Sequence, residues 1–358
     1  MRTLETYGWN ETRAEAWAAK DYGELLPARI IADHGQYFRI AIPEEISAQL
    51  SGSLMHKAKT VDMPKIGDWV AIEKNKNEPA TIHKVLPRSS EIVRGHVGRQ
   101  IDKQVIAANV DLAFIVQALD HDFSPERLER YIFQLASQHI SVVILLNKSD
   151  KALDASDKKY QLNELSADVF IMSAREDKDL SKIMDFITPG KTVVIMGSSG
   201  AGKSTITNRL LNAEVQATAA VREKDSKGRH TTVHRELFVL PNGGMIIDTP
   251  GIRELQLWGD AEDLVHLFPE IFAAARLCHY ANCAHDTEAG CHIKSGLIDG
   301  TIDAKRYRIY QSFKRELAML ESRREFIAER KSQQTKESAK RRLKRRRSNE
   351  QDLPIEYE

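Results

Sequence analysis

The chain has 358 residues, with 52 Lys and Arg against 51 Asp and Glu and a formal net charge of +1. This length predicts roughly two to four domains, each able to bury a core. No signal pattern opens the chain and no apolar run approaches the roughly 18 residues of a membrane helix, so we expect a soluble, cytoplasmic protein without a membrane partner. The three cysteines all lie between Cys278 and Cys291, which favours a local metal site over a disulfide framework.

Residues 1–26 form a polar lead-in with Trp9 and Trp17 as its apolar anchors and a predicted helix near residues 11–20. Residues 27–94 change to short strand-like runs separated by turn signals. The predicted strands are residues 28–32, 37–42, 69–72 and 80–86. This spacing favours a five-stranded OB-fold barrel, an architecture that often binds oligonucleotides. Composition is equally compatible with a structural β module that binds no ligand.

A linker is predicted at residues 95–109, after which buried strands alternate with helices. Residues 112–118 and 142–146 are predicted strands, and the helix between them begins at Ser124-Pro125, a favourable N-cap and first-turn pair. The second strand ends in Asn147-Lys148-Ser149-Asp150. This N-K-x-D spacing is typical of the guanine-reading element of GTP-binding proteins, although four such residues alone are also compatible with a solvated turn.

The chemistry of this element explains its selectivity. The Asp150 carboxylate can accept hydrogen bonds from N1–H and the exocyclic amine of guanine, and left unpaired it would reject adenine. Asn147 is expected to hold the opposite edge of the base, and the aliphatic stem of Lys148 to cover the ring face. A third strand at residues 169–172 ends in Ser173-Ala174-Arg175, the predicted partner loop that contacts guanine O6 through a backbone N–H.

Residues 193–205 read VVIMGSSGAGKST, in which a buried strand, the Gly197-x4-Gly202-Lys203-Ser204 spacing and a helical pattern at residues 206–211 define a P-loop. Glycines bring backbone N–H groups close to phosphate oxygens at a helix N-terminus. Lys203 is expected to reach the terminal phosphates and Ser204 to ligate Mg²⁺. A chance glycine turn is the alternative. The predicted nucleotide ligands here are Gly197, Ser198, Ser199, Gly200, Ala201, Gly202, Lys203, Ser204 and Thr205.

Two further elements follow the P-loop. Gly228-Arg229-His230-Thr231-Thr232 is interpreted as switch I, in which Thr231 or Thr232 meets Mg²⁺ and the γ-phosphate, and the residues leave that choice open. The predicted strand at residues 245–247 ends in Asp248-Thr249-Pro250-Gly251, interpreted as switch II. Asp248 is expected to hold a Mg²⁺-bound water, and the Gly251 N–H to sense the γ-phosphate. Both switches are expected to order with the triphosphate.

The order of these elements predicts a circular permutation. In an ordinary GTPase the P-loop comes first, whereas residues 147–150 and 173–175 here precede Gly197. The original ends are expected to be joined between Arg175 and Val193, which is possible because domain termini lie close together. Whatever follows Gly251 is then tied directly to switch II.

The cysteine segment reads Cys278-x4-Cys283-Ala284-His285-x5-Cys291. Three thiolates and an imidazole suffice for a closed, tetrahedral, structural Zn²⁺ site. His279 and His292 compete for the fourth position, and spacing favours His285. Three buried thiols beside a surface histidine are the alternative.

Apolar residues at three- and four-residue intervals predict an amphipathic helix that packs on this segment: Tyr307, Tyr310, Phe313, Leu317 and Leu320. Residues 322–347 then carry twelve Lys and Arg against three Glu, with a dense run at Lys340 to Arg347. So much like charge predicts a segment that is disordered alone and drawn to an anionic polymer, or else a solvated tail.

In combination, these motifs and Gly67-Asp68-Trp69-Val70 in the barrel region resemble the small ribosomal subunit-dependent circularly permuted GTPase family (RsgA), over residues 26–320. The resemblance implies a bacterial late-maturation factor that binds the small ribosomal subunit and its 16S rRNA. It implies GTP hydrolysis stimulated by that subunit, release as GDP forms, and rRNA contacts through the barrel and the zinc module. We expect a monomer that uses GTP or GDP, Mg²⁺ and one structural Zn²⁺.

The catalytic prediction departs from Ras-like proteins, because Ile252 stands where they place the glutamine that orients water. His230 is the nearest candidate to position that water, and the resemblance implies a switch I histidine in this role. The predicted catalytic set is His230, Lys203, Thr231 and Thr232. Contact between His230 and rRNA is the alternative role.

The fold expected is multidomain α/β: an N-terminal OB-fold β-barrel, a central circularly permuted P-loop GTPase of Ras-like α/β type and a C-terminal α-helical zinc-binding domain. The predicted divisions are residues 1–26 (lead-in), 27–94 (barrel), 95–255 (GTPase), 256–322 (zinc domain) and 323–358 (basic, disordered tail). Two rival functions remain at this stage: a nucleotide-gated RNA-binding switch that does not depend on hydrolysis, and a GTPase of large-subunit assembly.

Overall fold

The structure is a computed structural model that describes residues 2–35, 37–57, 62–76, 78–95, 103–120, 122–163, 165, 167–211, 235–248 and 261–351. Among these residues no helix is both long enough and apolar enough to cross a membrane.

The first unit is a five-stranded, OB-like barrel, as predicted. Its strands are β1 (Leu26–Asp33), β2 (Phe38–Ala41), β3 (Glu45–Leu50), β4 (Trp69–Glu73) and β5 (Ala80–Val85), with helix α1 (Glu11–Ala18) before them and α2 (Gly52–Lys57) after β3. Strand β1 pairs with both β2 and β4, and β3 runs parallel to β5, which closes the barrel. Sequence analysis missed β3 because Ala48 is its only buried residue.

The lead-in is part of the folded structure. Helix α1 forms where it was predicted, and the Trp9 ring packs edge-on against Trp69 of the barrel at 4.8 Å between ring centroids. Tyr7, which was not singled out from the sequence, is 1% exposed. The first residues therefore cover the base of the barrel.

The predicted linker at residues 95–109 is wrong. Strands β6 (Glu91–Gly95) and β7 (Lys103–Ala108) form an antiparallel hairpin there. The hairpin forms because Ile92 and Val93 on one strand and Val105 and Ile106 on the other are buried. The polar residues between the two apolar runs hid this pairing from sequence analysis.

The second unit is a mostly parallel sheet. Its strands are β8 (Leu112–Ala118), β9 (Ser141–Asn147), β10 (Asp168–Ile171), β11 (Thr192–Gly197), β12 (Arg235–Val239) and β13 (Met245–Asp248). They lie in the order β10-β9-β8-β11-β13-β12, in which only the pairing of β12 with β13 is antiparallel. The carboxyl ends of the parallel strands share one edge of the sheet, so the loops that follow β8, β9, β10, β11 and β13 meet there.

Helices α3 (Pro125–Ala136), α4 (Ala155–Tyr160), α5 (Asp177–Met184) and α6 (Lys203–Leu210) belong to this sheet. The predicted start of α3 is confirmed, since the Ser124 side chain accepts a hydrogen bond from the Arg127 N–H and Pro125 occupies the first turn. Short 3₁₀ turns lie at Glu5–Tyr7, Ser149–Lys151 and Ala261–Asp263.

A buried arginine joins the barrel to the sheet. Arg29 in β1 is 1% exposed and its guanidinium donates to the carbonyls of Tyr7, Gly67 (3.2 Å) and Asn109 (3.2 Å) and to the Thr192 hydroxyl (2.8 Å). Its guanidinium also stacks over the Trp69 ring at 5.4 Å from the centroid. Burial lowers the Arg29 pKa to about 9. Four separate segments of the chain thus meet on one side chain.

The C-terminal unit consists of α7 (Leu264–Leu267), α8 (Pro269–Ala275), α9 (His292–Asp299) and α10 (Ala304–Gln351). The predicted apolar face of α10 is confirmed by burial of Tyr307, Tyr310, Phe313 and Leu317. The unit packs on α3, where Arg130 forms an ion pair with Glu316 at 2.8 Å and lies over the Phe313 ring.

For residues 323–351 the predicted disorder differs from the structure, in which α10 continues to Gln351; residues 352–358 lie outside the described residues. The physical reason is composition: the segment from Ala304 to Gln351 contains no Gly or Pro and is rich in Ala, Glu, Gln, Lys and Arg, which are strong helix formers. Beyond Leu320 the helix extends for roughly 45 Å at 1.5 Å per residue.

Candidate nucleotide site and metal cluster

Two glycines of the P-loop occupy positions that exclude any side chain. Gly197 ends β11 with φ +136°, and a Cβ there would lie 2.0 Å from the Val116 carbonyl oxygen of β8. Gly202 has φ +101°, and a Cβ there would lie 2.2 Å from the Asn147 side-chain nitrogen. The loop therefore packs directly on the ends of β8 and β9.

Lys203 is the first residue of α6. Its Nζ donates to the carbonyl oxygens of Gly197 (2.9 Å) and Ser198 (2.6 Å), so the ammonium lies inside the curve of the loop. Ser204 and Thr205 follow in the first turn and are half-buried, while Ala201 is buried and Ser199 and Gly200 are exposed. The Lys203 ammonium and the N-terminus of α6 thus lie on the same concave side of the P-loop, where both favour an anionic ligand.

Asn147 links three loops at the sheet edge. Its Nδ2 donates to the Ala201 carbonyl of the P-loop at 2.7 Å, and its Oδ1 accepts from the Ala174 N–H at 2.8 Å. The side chain is 3% exposed. Residues that lie 54 and 27 positions away along the chain are therefore fixed against the guanine-reading element.

Asp150, at the end of the guanine-reading element, has 28% of its side chain accessible to solvent. It accepts a hydrogen bond from the Ser173 hydroxyl at 3.0 Å, and the Arg175 guanidinium lies 3.9 Å from its other oxygen. The loop that supplies these partners is held by Arg209 of α6, which donates to the Ala174 carbonyl at 2.7 Å. The carboxylate and the P-loop are thus parts of one connected group of loops.

The switch predictions fall largely outside the described residues. His230, Thr231, Thr232 and Gly251 are not among them, and of Asp248 the structure describes the backbone. Asp248 ends β13 and pairs in register with Ile195 of β11. Its position is therefore at the same sheet edge as the P-loop.

The structure brings together the four predicted metal ligands. The ligand atoms of Cys278, Cys283, His285 and Cys291 all lie within 4.8 Å of one another. His285 Nδ1 lies 3.6 Å from Cys278 Sγ and 3.5 Å from Cys291 Sγ. Zn–S and Zn–N bonds spread at the tetrahedral angle separate sulfur from nitrogen by about 3.5 Å, so the set is compatible with zinc. Neither His279 nor His292, both described, belongs to the group.

The loop that carries these ligands is organised by Glu288. Its carboxylate accepts from the backbone N–H groups of Ala284 (2.8 Å) and Asp286 (2.9 Å), and these contacts hold its pKa below the usual range. His279 N–H donates to the Gly290 carbonyl, which closes the loop. Cys291 is the N-cap residue of α9, so the cluster is fixed to a helix.

Comparison with known proteins places this architecture in a family. Residues 85–258 match the family model described as RsgA GTPase. The "Small ribosomal subunit biogenesis GTPase RsgA" of Opitutus terrae is 39% identical over 330 residues, which cover 88% of this chain and 90% of that protein. The protein of the same name from Leptospira interrogans is 38% identical over 320 residues, 88% of each chain. The chain belongs to the RsgA GTPase family. It is therefore a GTP-hydrolysing enzyme.

Solved structures agree with this RsgA fold. YjeQ from Thermotoga maritima superposes with a TM-score of 0.61 at 22% identity, over 82% of this chain and 99% of that chain. YloQ, described as a circularly permuted GTPase, gives a TM-score of 0.59 at 22% identity, over 83% of this chain and 96% of that chain. The predicted fold class, including the permutation, is confirmed.

The RsgA family implies a guanine nucleotide and Mg²⁺, and the residues of this chain fit both. A Cβ at Gly197 would overlap the Val116 carbonyl and one at Gly202 the Asn147 amide, so only glycine lets the P-loop backbone take this tight curve. Lys203 Nζ donates there to two backbone carbonyl oxygens, and phosphate oxygens can replace these as acceptors. The Ser204 hydroxyl, in the first turn of α6, is of the oxygen type that Mg²⁺ prefers.

The N-K-x-D spacing predicts a role for Asn147 at the base, but it does not predict that the Asn147 amide ties together the loops. The sequence also gives no signal for Glu288, which holds the backbone of the cysteine loop, or for Arg209, which holds the backbone of the Ser173–Arg175 loop. None of these contacts has a local signature, because each side chain binds a backbone group whose position depends on the complete fold.

Proposed function

We propose that this chain binds the small ribosomal subunit through its 16S rRNA, acts late in maturation of that subunit, and hydrolyses GTP to GDP and phosphate with turnover that the subunit stimulates. The protein acts as a monomer in the bacterial cytoplasm and leaves the subunit once GDP has formed. Relatives 36–39% identical that carry the name of a small ribosomal subunit biogenesis GTPase support the ribosomal part of this proposal.

The observation that carries the enzymatic part is the contact of Asn147 with both Ala174 and Ala201. It joins the base-reading loops to the phosphate-binding loop, although the chain order of these elements is permuted. In the proposed complex Asp150 reads N1–H and the amine of guanine, and Ala174 N–H lies beside guanine O6. Lys203 and the P-loop amides hold the phosphates, and Ser204, Asp248 and Thr231 or Thr232 hold Mg²⁺ directly or through water.

The Cys278, Cys283, His285 and Cys291 group is proposed to hold one structural Zn²⁺, because four protein ligands leave no open coordination position. We expect about one zinc per chain by elemental analysis of the purified protein. Cys283→Ser is expected to lose zinc while GDP binding remains, since the cluster lies outside the nucleotide loops. A variant that retains a full zinc content would contradict the ligand assignment.

His230 is proposed to position the attacking water, because Ile252 cannot hydrogen-bond it. His230→Ala should lower subunit-stimulated turnover by about 10²-fold or more, the range expected for a group that completes a phosphoryl-transfer site. GDP affinity should stay near that of the unaltered protein. Unchanged stimulated turnover would eliminate this role and favour rRNA contact by His230.

The proposed function is tested by phosphate release from GTP measured with and without purified small subunits. We expect slow release by the protein alone and a large acceleration by small subunits, with large subunits as the matched control. Lys203→Ala should abolish release in all three conditions. Equal acceleration by large subunits, or none by small subunits, would overturn the proposal.

A further inference from the structure

The segment between β8 and α3, described at residues 119–120 and 122–124, contributes nothing to the motifs that identify the nucleotide site. This segment nevertheless contacts the guanine-reading element. The Leu119 N–H donates to the Asn147 carbonyl at 2.9 Å, which joins the ends of β8 and β9. The next residue, Asp120, receives a hydrogen bond from Lys148 Nζ at 3.0 Å.

Lys148 is restricted in two ways, by its backbone conformation and by the hydrogen bond from its Nζ to Asp120. Its φ of +67° lies in the left-handed region, which a residue with a side chain rarely adopts. Its four-carbon stem would be free to sample many rotamers without a partner. Because Asp120 holds Nζ, the stem is confined between the backbone of the guanine-reading element and the end of β8.

Asp120 is held through Asp122, whose backbone N–H donates to the Asp120 carboxylate at 3.0 Å. Arg127 donates to both the carbonyl and the carboxylate of Asp122, the latter at 2.9 Å, and Gln117 Nε2 donates to the same carbonyl at 3.0 Å. A hydrogen bond with Ser198 of the P-loop, together with Arg127, holds the Asp122 pKa below its usual range although Asp120 is a nearby like charge. The loop is therefore tied to the P-loop as well as to Lys148.

We propose that Asp120 is a positioning residue for guanine binding: it holds the Lys148 stem in the orientation that covers the face of the purine ring. This inference rests on the proposed function of the site. Lys148 and Asp120 side chains are 32% and 33% exposed, so the pair contributes little to the stability of the fold. Its contribution lies in preorganisation, since a lysine that is already ordered loses less side-chain entropy when the nucleotide binds.

The test is a titration of GDP against the full-length protein and Asp120→Ala. Loss of one ordered side chain should weaken GDP binding about threefold to tenfold. The same factor should appear in KM for GTP with small subunits present rather than in kcat, and Asp120→Glu should recover part of the affinity. The matched control is Glu44→Ala, which removes the exposed ion pair with Lys74 (3.2 Å) in the barrel and should leave GDP affinity unchanged.

A double-mutant cycle separates positioning from a structural effect. In a Lys148→Ala background, Asp120→Ala should cause no further loss of GDP affinity. An equal loss in both backgrounds, or GDP affinity of Asp120→Ala equal to that of the unaltered protein, would overturn the inference. Failure of the unaltered protein to bind GDP would instead overturn the proposed function, so the two failures are distinguishable.

Discussion

The nucleotide site and the barrel–sheet junction around Arg29 are both polar clusters built from distant segments, but they differ in how their polar atoms are used. At the junction, Arg29 is buried and donates to acceptors from the lead-in, the barrel and the sheet. At the nucleotide site, Asp150 remains 28% exposed and Lys203 donates to loop carbonyls that phosphate can replace. The junction is complete within the chain, whereas the site is arranged to receive a ligand.

This comparison predicts that variants at the junction lower stability and leave GDP affinity intact, and that variants at the site lower GDP affinity. The largest effect is expected for Arg29→Met, which leaves the Tyr7, Gly67 and Asn109 carbonyls without this donor. We expect the free energy of unfolding to fall by roughly 2–4 kcal/mol, measured by urea denaturation, because buried acceptors lose charge-assisted hydrogen bonds.

Arg39→Met is the matched control for Arg29. Arg39 also joins the barrel to the sheet, through ion pairs with Glu45 (2.7 Å) and Glu236 (2.6 Å), but its side chain is 41% exposed. Exposed pairs contribute about 1 kcal/mol or less, so the decrease in stability should be small. Similar decreases for both variants would show that burial of Arg29 is not what distinguishes the junction.

A pair of glycine variants sharpens the comparison. Gly202→Ala places a Cβ 2.2 Å from the Asn147 nitrogen, and Gly67→Ala places one 2.2 Å from the Ala108 carbonyl at the junction. Both glycines have positive φ, so each variant carries strain of about 1–3 kcal/mol. We expect Gly202→Ala to weaken GDP binding about 10- to 100-fold, and Gly67→Ala to lower the unfolding midpoint while GDP affinity is retained. Loss of GDP affinity in Gly67→Ala, or normal GDP affinity in Gly202→Ala, would contradict the comparison.

The smallest effect concerns the far end of α10. Ending the chain after Ser338 should flatten the salt dependence of small-subunit binding, because each phosphate that a basic side chain no longer neutralises lowers the slope of log K against log salt by about 0.7–0.9. Ending it after Arg347 retains Lys340 to Arg347 and is the control. Equal slopes for the two truncations would show that the basic run does not bind RNA.

The parts that sequence analysis predicted are those with local signatures. Gly197 to Ser204 and Asn147 to Asp150 have the short, fixed spacings typical of phosphate-binding and base-reading loops, and Cys278 to Cys291 have a spacing typical of residues that share one metal. The hairpin at Glu91–Ala108 and strand Glu45–Leu50 were missed, since their pairing depends on distant partners. Arg29 has no signature at all, because its acceptors are backbone groups that only the complete fold brings together.

The extent of α10 was missed for a different reason. Dense like charge at Lys340 to Arg347 predicts disorder, whereas residues 304–351 contain no Gly or Pro to end a helix, and helix propensity prevails. The switch residues His230, Thr231, Thr232 and Gly251 lie outside the described residues, and their roles stay predictions.

The central claim is that permuted segments of this chain converge on a single pocket selective for guanine nucleotides. Calorimetric titration of the unaltered protein with GDP and with ADP tests it most directly. We predict that GDP binds at least about 10²-fold more tightly, because adenine leaves the Asp150 carboxylate unpaired and offers no donor pair to it. Equal affinities for the two nucleotides, or binding of neither, would contradict the account.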